Sequence, residues 1–158
     1  MNLNGGPKMN LNTIEQLLQI LPELNKRYYK QVYIFEFKQG ATVFRFSKQQ
    51  NIPYINLNLE LSSRLKDIPQ NRRIFKITDI FNTLIQSYPE NTVCIDYYEL
   101  LFDPSLSINV FELFKNASRN KTLIIAWRGT LTQRDFIHAE AGHPEYKKYP
   151  IEDTLILK

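Results

Sequence analysis

A chain of 158 residues fits one domain and, on general size scaling, buries roughly 68–70% of the surface that its unfolded form exposes, so it needs no disulfide or metal staple. With 43% hydrophobic and 23% charged residues it falls among soluble globular proteins, and its one cysteine, Cys94, excludes an internal disulfide and suits a reducing cytoplasm. The net charge of +4 comes without a polybasic tail, and no apolar run reaches bilayer-spanning length, so neither a nucleic-acid footprint nor a membrane anchor is evident.

The first residues show no signal-peptide pattern, and Met9-Asn-Leu-Asn12 repeats Met1-Asn-Leu-Asn4. Residues 1–12 are read as a flexible N-terminus and 13–158 as a single domain. Asn12 and Thr13 suit a helix cap, and Ile14, Leu17, Leu18 and Leu21 recur at helical spacing until Pro22, which predicts a helix over 13–21, with continuation past the proline to Lys26 as the alternative. Val32–Phe37 is rich in β-branched and aromatic residues and reads as the first strand. A helix over 42–51 follows, then a strand over 53–58 and a short helix over 62–67. Ile80, Phe81, Leu84 and Ile85 share one face of a helix over 79–86. Thr92–Asp96 is a third strand that ends on a carboxylate. Val110, Phe111 and Phe114 mark a helix to about 117, and Lys121–Trp127 is the most strand-like run of all. Residues 129–150 read mostly as loop, with a last strand over 154–157. Strands alternating with helices imply a mostly parallel α/β sheet of about five strands, covered by helices on both faces.

The segment Gln31-Val-Tyr-Ile-Phe-Glu-Phe-Lys-Gln-Gly-Ala-Thr42 places a strand, a glycine turn and a helix in succession. A Walker A loop has G-x-x-x-x-G-K-[ST] at such a junction: glycines let backbone amides wrap phosphate, lysine reaches it, and the hydroxyl holds magnesium. Over residues 35–42 this chain keeps Gly40 and Thr42 but has Phe35 at the first glycine and Ala41 at the lysine. Lys38 is a candidate substitute cation, although Glu36 would repel phosphate and Phe35 and Phe37 would crowd it. Val93-Cys-Ile-Asp96 has the form of a Walker B strand, with Glu99 as a delayed second acid. A strand ending in a solvated acid is the plain alternative. ATP and Mg2+ are therefore expected to bind weakly if at all, and turnover is not expected.

Other clusters are open to two accounts. Arg119 and Arg128 flank the Lys121–Trp127 run, as sensor or finger arginines would, or as ordinary surface cations. Asn56 and Asn58 could line the crevice above the sheet, or simply shape a turn. Arg64, Arg72 and Arg73, with Tyr146, Lys147 and Lys148, could face nucleic acid or a partner, or be solvated surface. His138, Glu140, His143 and Glu145 include residue types that ligate metals; a turn-rich loop with Gly142-His-Pro144 as its bend is the plainer account, and no metal is expected.

Several longer strings add a resemblance. Ile55-Asn-Leu-Asn-Leu-Glu-Leu-Ser62 with Arg64-Leu65, Ile95-Asp-Tyr-Tyr-Glu-Leu-Leu-Phe-Asp-Pro104, Ser118-Arg-Asn-Lys-Thr122, Ala126-Trp127 with Gly129-Thr130, and Gly142-His-Pro-Glu-Tyr146 with Tyr149-Pro150 resemble the BrxF family. These are small P-loop-containing proteins of type 3 BREX (bacteriophage exclusion) defence systems. The similarity covers nearly the whole chain after residue 12. It implies a three-layer P-loop NTPase-like fold and an accessory role in a phage-restriction complex beside a DNA methyltransferase and larger ATPase-type subunits. By position it puts Gly40 and Thr42 on the Walker A and Asp96 on the Walker B. Phe35 and Ala41 depart from that pattern and put hydrolysis in doubt. Two alternatives stay open: an active ATPase in which Lys38 or a neighbouring subunit's Arg119 or Arg128 supplies charge, as in a homo-oligomer, and a DNA-binding module of the same system.

Overall fold

β-Branched and aromatic runs form the centre of the molecule. The computed structural model describes the backbone of residues 5–152 and 154–158, and the side chains of 13–152 and 154–158. In chain order the elements are α1 (Gly5–Leu24), β1 (Gln31–Phe35), α2 (Thr42–Gln50), β2 (Tyr54–Asn56), α3 (Leu57–Leu65), α4 (Gln70–Gln86), β3 (Thr92–Asp96), α5 (Val110–Ala117) and β4 (Thr122–Trp127). The strands β5 (Thr130–Leu131), β6 (Asp135–His138), β7 (Lys147–Pro150) and β8 (Ile156–Leu157) follow. Two 3-10 turns, Glu99–Phe102 and Pro104–Leu106, link β3 to α5.

Five strands make one parallel sheet in the order β2-β3-β4-β1-β8. Side chains alternate across a strand, and here both faces are apolar. Tyr33, Ile55, Val93, Ile95, Leu123, Ile125 and Trp127 pack in one cluster with residues of α3, α4 and α5. Val32, Ile34, Cys94, Ile124 and Ala126 pack in the other with Ile14, Leu17 and Leu24 of α1 and Val43 and Phe46 of α2. Burying both faces explains why β4, after its first residue Thr122, reads Leu-Ile-Ile-Ala-Trp without polar interruption, all six residues buried. The α/β reading with a mostly parallel five-stranded sheet and helices is what the structure has.

Local differences from the predicted elements have identifiable causes. α1 begins at Gly5 rather than 13 and carries Pro22 inside its last turn; residues 1–4 of the expected flexible N-terminus lie outside the described residues. β2 stops at Asn56 because the Asn56 side chain accepts a hydrogen bond from the Leu59 amide and starts α3 there, five residues before the predicted helix. α4 begins at Gln70 behind Pro69, not at 79. Its early turns leave Ile74 and Phe75 exposed, so no apolar stripe announces them. The region expected to be mostly loop, 129–150, instead folds into an antiparallel sheet of order β5-β6-β7. Its strands have two to four residues, too short to show alternation, and Phe136 anchors it on Trp127 with ring centroids 5.2 Å apart.

Candidate functional site

The carboxyl ends of β1, β3 and β4 converge on one crevice, the place where open α/β sheets hold ligands. β1 leads through residues 36–41 into α2, so the strand–Gly40–helix junction stands as the sequence suggests. Asp96 ends β3, and Arg128 follows β4.

The loop after β1 is organised by Glu36. This residue is only 2% exposed, and its carboxylate accepts hydrogen bonds from the backbone amides of Thr42 (3.2 Å) and Val43 (2.9 Å). Those are first-turn amides of α2, which no intrahelical carbonyl satisfies and where the helix dipole favours negative charge. Ala41, at the cap position, offers no side-chain bond. Glu36 thus caps the helix in place of Ala41 and occupies the position that a phosphate takes at such helix starts. Gly40 has a related reason: a Cβ there would lie 2.8 Å from the Glu36 Oε1 and 3.2 Å from backbone atoms of Phe37. In this chain the glycine makes room for an internal carboxylate.

Asp96 is fully buried and also committed. Arg128 grips it with two bonds, Nε to Oδ1 and Nη2 to Oδ2, both 2.9 Å. The Tyr54 hydroxyl donates to Oδ2 at 2.6 Å, and the Tyr97 amide donates to Oδ1 at 2.9 Å. The same guanidinium donates to the carbonyls of Gly40 (2.8 Å), Phe37 and Lys38 (both 3.3 Å), so one side chain ties the β1 loop to the end of β3. Bidentate pairing of this kind is among the strong polar contacts. The hydrogen bonds to Asp96, with its charge behind them, raise the Arg128 pKa further above its ordinary value against the opposing effect of burial. Burial first, and the bond to Asp96 second, raise the pKa of Tyr54 well beyond the usual phenol range.

Tyr97 shows strain at the same spot. Its φ of 51° is left-handed, rare for a bulky side chain. Arg128 lies 4.5 Å over its ring, and its carbonyl accepts from the Asn58 amide at 2.7 Å. Asn58 also donates to Glu99 at 3.0 Å and accepts from the Leu100 amide at 2.9 Å. Asn56 and Asn58 therefore act as local straps, and Glu99 is held on the Asn58 side of the segment. Behind this network a cavity of about 210 Å³ runs past Tyr98, Phe102, Trp127 and Gly129 to His138. Gly129 is packed so closely that a Cβ would come within 2.5 Å of the Trp127 ring.

The remaining sequence candidates are scattered. Lys38 is exposed and contributes its carbonyl, not its ammonium, to the Arg128 contacts. Arg119, beyond the far end of β4 from Arg128, lies 4.9 Å over the Tyr28 ring, so the two arginines do not act together within one chain. Arg64 pairs with Glu60 at 2.8 Å, Arg73 bonds the Ile68 carbonyl, and Arg72 is exposed. Lys147 and Lys148 are exposed on β7, where Lys148 meets Asp135 at 3.7 Å, and Tyr146 is half-buried just before it. His138 stacks on Phe102 and approaches Glu145 at 3.4 Å; among the described residues no three His, Cys, Asp or Glu side chains gather as a metal site would need. Nor is any described helix long and apolar enough to cross a membrane.

Sequence reasoning missed two roles. Glu36 looked like an obstacle to phosphate, and its carboxylate caps the start of α2. Arg128, a candidate finger or surface cation, is also the partner of Asp96. The acid ending β3 and the arginine following β4 are visible in the sequence, but the register that brings them together, with Ile95 opposite Ile125 on parallel neighbours, is not. Comparison with protein-family models, with curated proteins and with solved structures found no match in any of the three.

Proposed function

We propose that this chain is a non-hydrolysing accessory subunit of a bacteriophage-exclusion defence assembly, built on a P-loop-type frame whose phosphate position is filled by its own carboxylate. The observation that carries the reading is the Glu36 carboxylate on the Thr42 and Val43 amides. A phosphate arriving there would have to expel a buried anion that is already bonded. The Walker B-like Asp96 cannot receive a magnesium ion without giving up Arg128 and Tyr54. With Ala41 at the lysine position as well, ATP and Mg2+ do not fit this donor set. The resemblance of the sequence strings to the BrxF family supplies the biological setting, and with it the other defence subunits as partners.

In this reading the domain works as a scaffold. Glu36, Arg128 and Asp96 hold the upper edge of the sheet rigid, and Phe37, 60% exposed on that edge, and Tyr97, 38% exposed, offer aromatic contact surface to a partner. Isothermal titration of ATP with Mg2+ is expected to show no binding, and micromolar affinity would overturn the proposal. Ala41→Lys alone is expected to leave ATP unbound, because the new ammonium would meet the Glu36 carboxylate; tight binding in that variant would contradict the account. Affinity capture from a host carrying the whole defence cluster should recover a methyltransferase or ATPase-type subunit, with less recovered by Phe37→Ala. Recovery of this chain alone would remove the assembly role.

A further inference from the structure

The two edges of the parallel sheet differ in charge. Beside β8, a cavity of about 360 Å³ is lined by Arg27 and Lys115 against Glu112 and Glu152, so its charge is balanced. The Gln31 amide oxygen and Tyr33 hydroxyl next to it lack hydrogen-bond partners among the described residues and are sealed from solvent. At the opposite edge β2 is the outer strand; α2 packs on one face of the sheet, and α3 and α4 pack on the other. Residues 37–86, which hold these four elements, carry eight of the twenty lysines and arginines but only three of the sixteen acids. The remaining residues are near balance, with twelve cations and thirteen acids. The positive charge of the chain therefore belongs to the β2 flank.

Most of those cations are not neutralised within the chain. Arg64 is paired with Glu60, and Arg73 bonds the Ile68 carbonyl. Lys38, Arg45, Lys48, Lys66, Arg72 and Lys76 are exposed and have no salt-bridge partner among the described residues. Against these six stand two further acids, Asp67 and Asp79. The same block holds Phe37, Phe44, Leu59, Ile74 and Phe75, five of the eight large apolar side chains that are more than a third exposed among the described residues. Rings and cations alternate on it. Phe75 is 78% exposed, and Arg72, Phe75 and Lys76 share one side of α4 at i, i+3 and i+4 spacing. On α2, Lys48 lies 5.3 Å over the ring of Phe44, itself 41% exposed, and Arg45 adjoins both.

Two features select the occupant. Four of the six unpaired cations are lysines, a residue type that protein interfaces deplete and that phosphate backbones attract. An exposed phenylalanine ring offers a stacking platform, and only an unpaired base has a free face to meet it. We infer that the β2 flank binds single-stranded nucleic acid, its phosphates meeting Arg45, Lys48, Arg72 and Lys76 and its bases stacking on Phe75 and Phe44. The surface lies outside the Glu36–Asp96–Arg128 network and does not depend on the scaffold role proposed for that network.

The test is fluorescence anisotropy on the full-length protein with labelled single strands of about twenty nucleotides, one of deoxythymidine and one of uridine, beside a blunt duplex of equal length. At about 50 mM salt at least one strand should bind, with the duplex at least tenfold weaker and the affinity falling as salt rises. Phe75→Ala should weaken the strand fivefold or more with the salt dependence and the melting temperature unchanged, since the ring is exposed. Lys48→Gln and Lys76→Gln should each weaken binding and reduce the slope of log affinity against log salt by about 0.7. Lys148→Gln, on the other sheet, serves as the control and should change nothing. Failure of both strands to bind, equal affinity for the duplex, or an affinity that ignores Phe75 or follows Lys148 would each overturn the inference. Equal binding of polyglutamate would do the same and assign the flank to an acidic protein segment.

Discussion

The crevice above β1, β3 and β4 and the cavity beside β8 lie along the same sheet, share β1, and treat their polar groups in opposite ways. In the crevice Glu36 has two amides, Asp96 has a bidentate arginine, a phenol and an amide, and Arg128 reaches three carbonyls in addition. In the cavity Tyr33 and Gln31 keep atoms without partners among the described residues. A buried charge must be paired to be tolerated, whereas a buried hydroxyl or amide left unpaired costs less. The lesson is that resemblance to a binding motif and readiness to bind are different properties. The segment that looks most like a ligand site is internally saturated.

Breaking the saturation should have the largest effect. Arg128→Ala leaves Asp96 buried without its cation and is expected to cost about 3–5 kcal/mol, measured by urea unfolding. Adding Asp96→Asn to that variant should return a substantial part of the loss, because the pair and not either residue is the stabilising unit. If Arg128→Ala were neutral, the crevice would not be a tied network. Next come the helix start and its glycine. Glu36→Ala removes the carboxylate cap of α2, and Gly40→Ala pushes a methyl against it; each is expected to cost about 1–3 kcal/mol. In the double variant the two losses should be less than additive, since Gly40 matters through Glu36.

Alkaline pH probes the crevice from beneath. Burial first, and the Asp96 charge second, push the Cys94 thiol up to about 12. An unfolded thiol ionises near ~8.5. Above that pH the unfolded state binds fewer protons than the folded one, so this contribution to stability is complete below ~8.5 and declines as pH rises toward the folded value, by about 1.4 kcal/mol per unit. Cys94→Val should flatten the slope between pH ~9 and ~10; an unchanged slope would place the alkaline loss elsewhere. The smallest effect belongs to the cavity: Tyr33→Phe should change stability by less than about 1 kcal/mol, in the stabilising direction. A large loss would mean that the hydroxyl has a partner after all and that the two regions are alike.

How far the sequence revealed this depends on the range of the interaction. The order of strands and helices was largely legible because the longer apolar runs carry their own period, and within the β1–Gly40–α2 junction the start of α2 at Thr42 was located to the residue, while β1 ends at Phe35 and not at Phe37. The identity of the cap was not, although Glu36 and Thr42 are six residues apart, because Ala41 at the usual capping position gives no sign that an acid further back turns inward. The Arg128–Asp96 pair spans 32 residues and exists only because β3 and β4 are neighbours. Sheet order is a tertiary fact. The β5–β7 sheet escaped notice for the reason already visible in its strands, which are too short for a pattern. The cavity beside β8 had no motif at all, since the absence of hydrogen bonds at Gln31 and Tyr33 can be seen only once everything around them is in place.

The central claim is that an internal carboxylate holds the phosphate position at the start of α2. Amide NMR spectra recorded during titration with inorganic phosphate test it directly, in the wild-type protein and in Glu36→Ala. The account predicts that the Thr42 and Val43 amide signals stay still in the wild type and shift saturably in the variant. Saturable shifts of those two signals in the wild-type protein, or none in either, would contradict it.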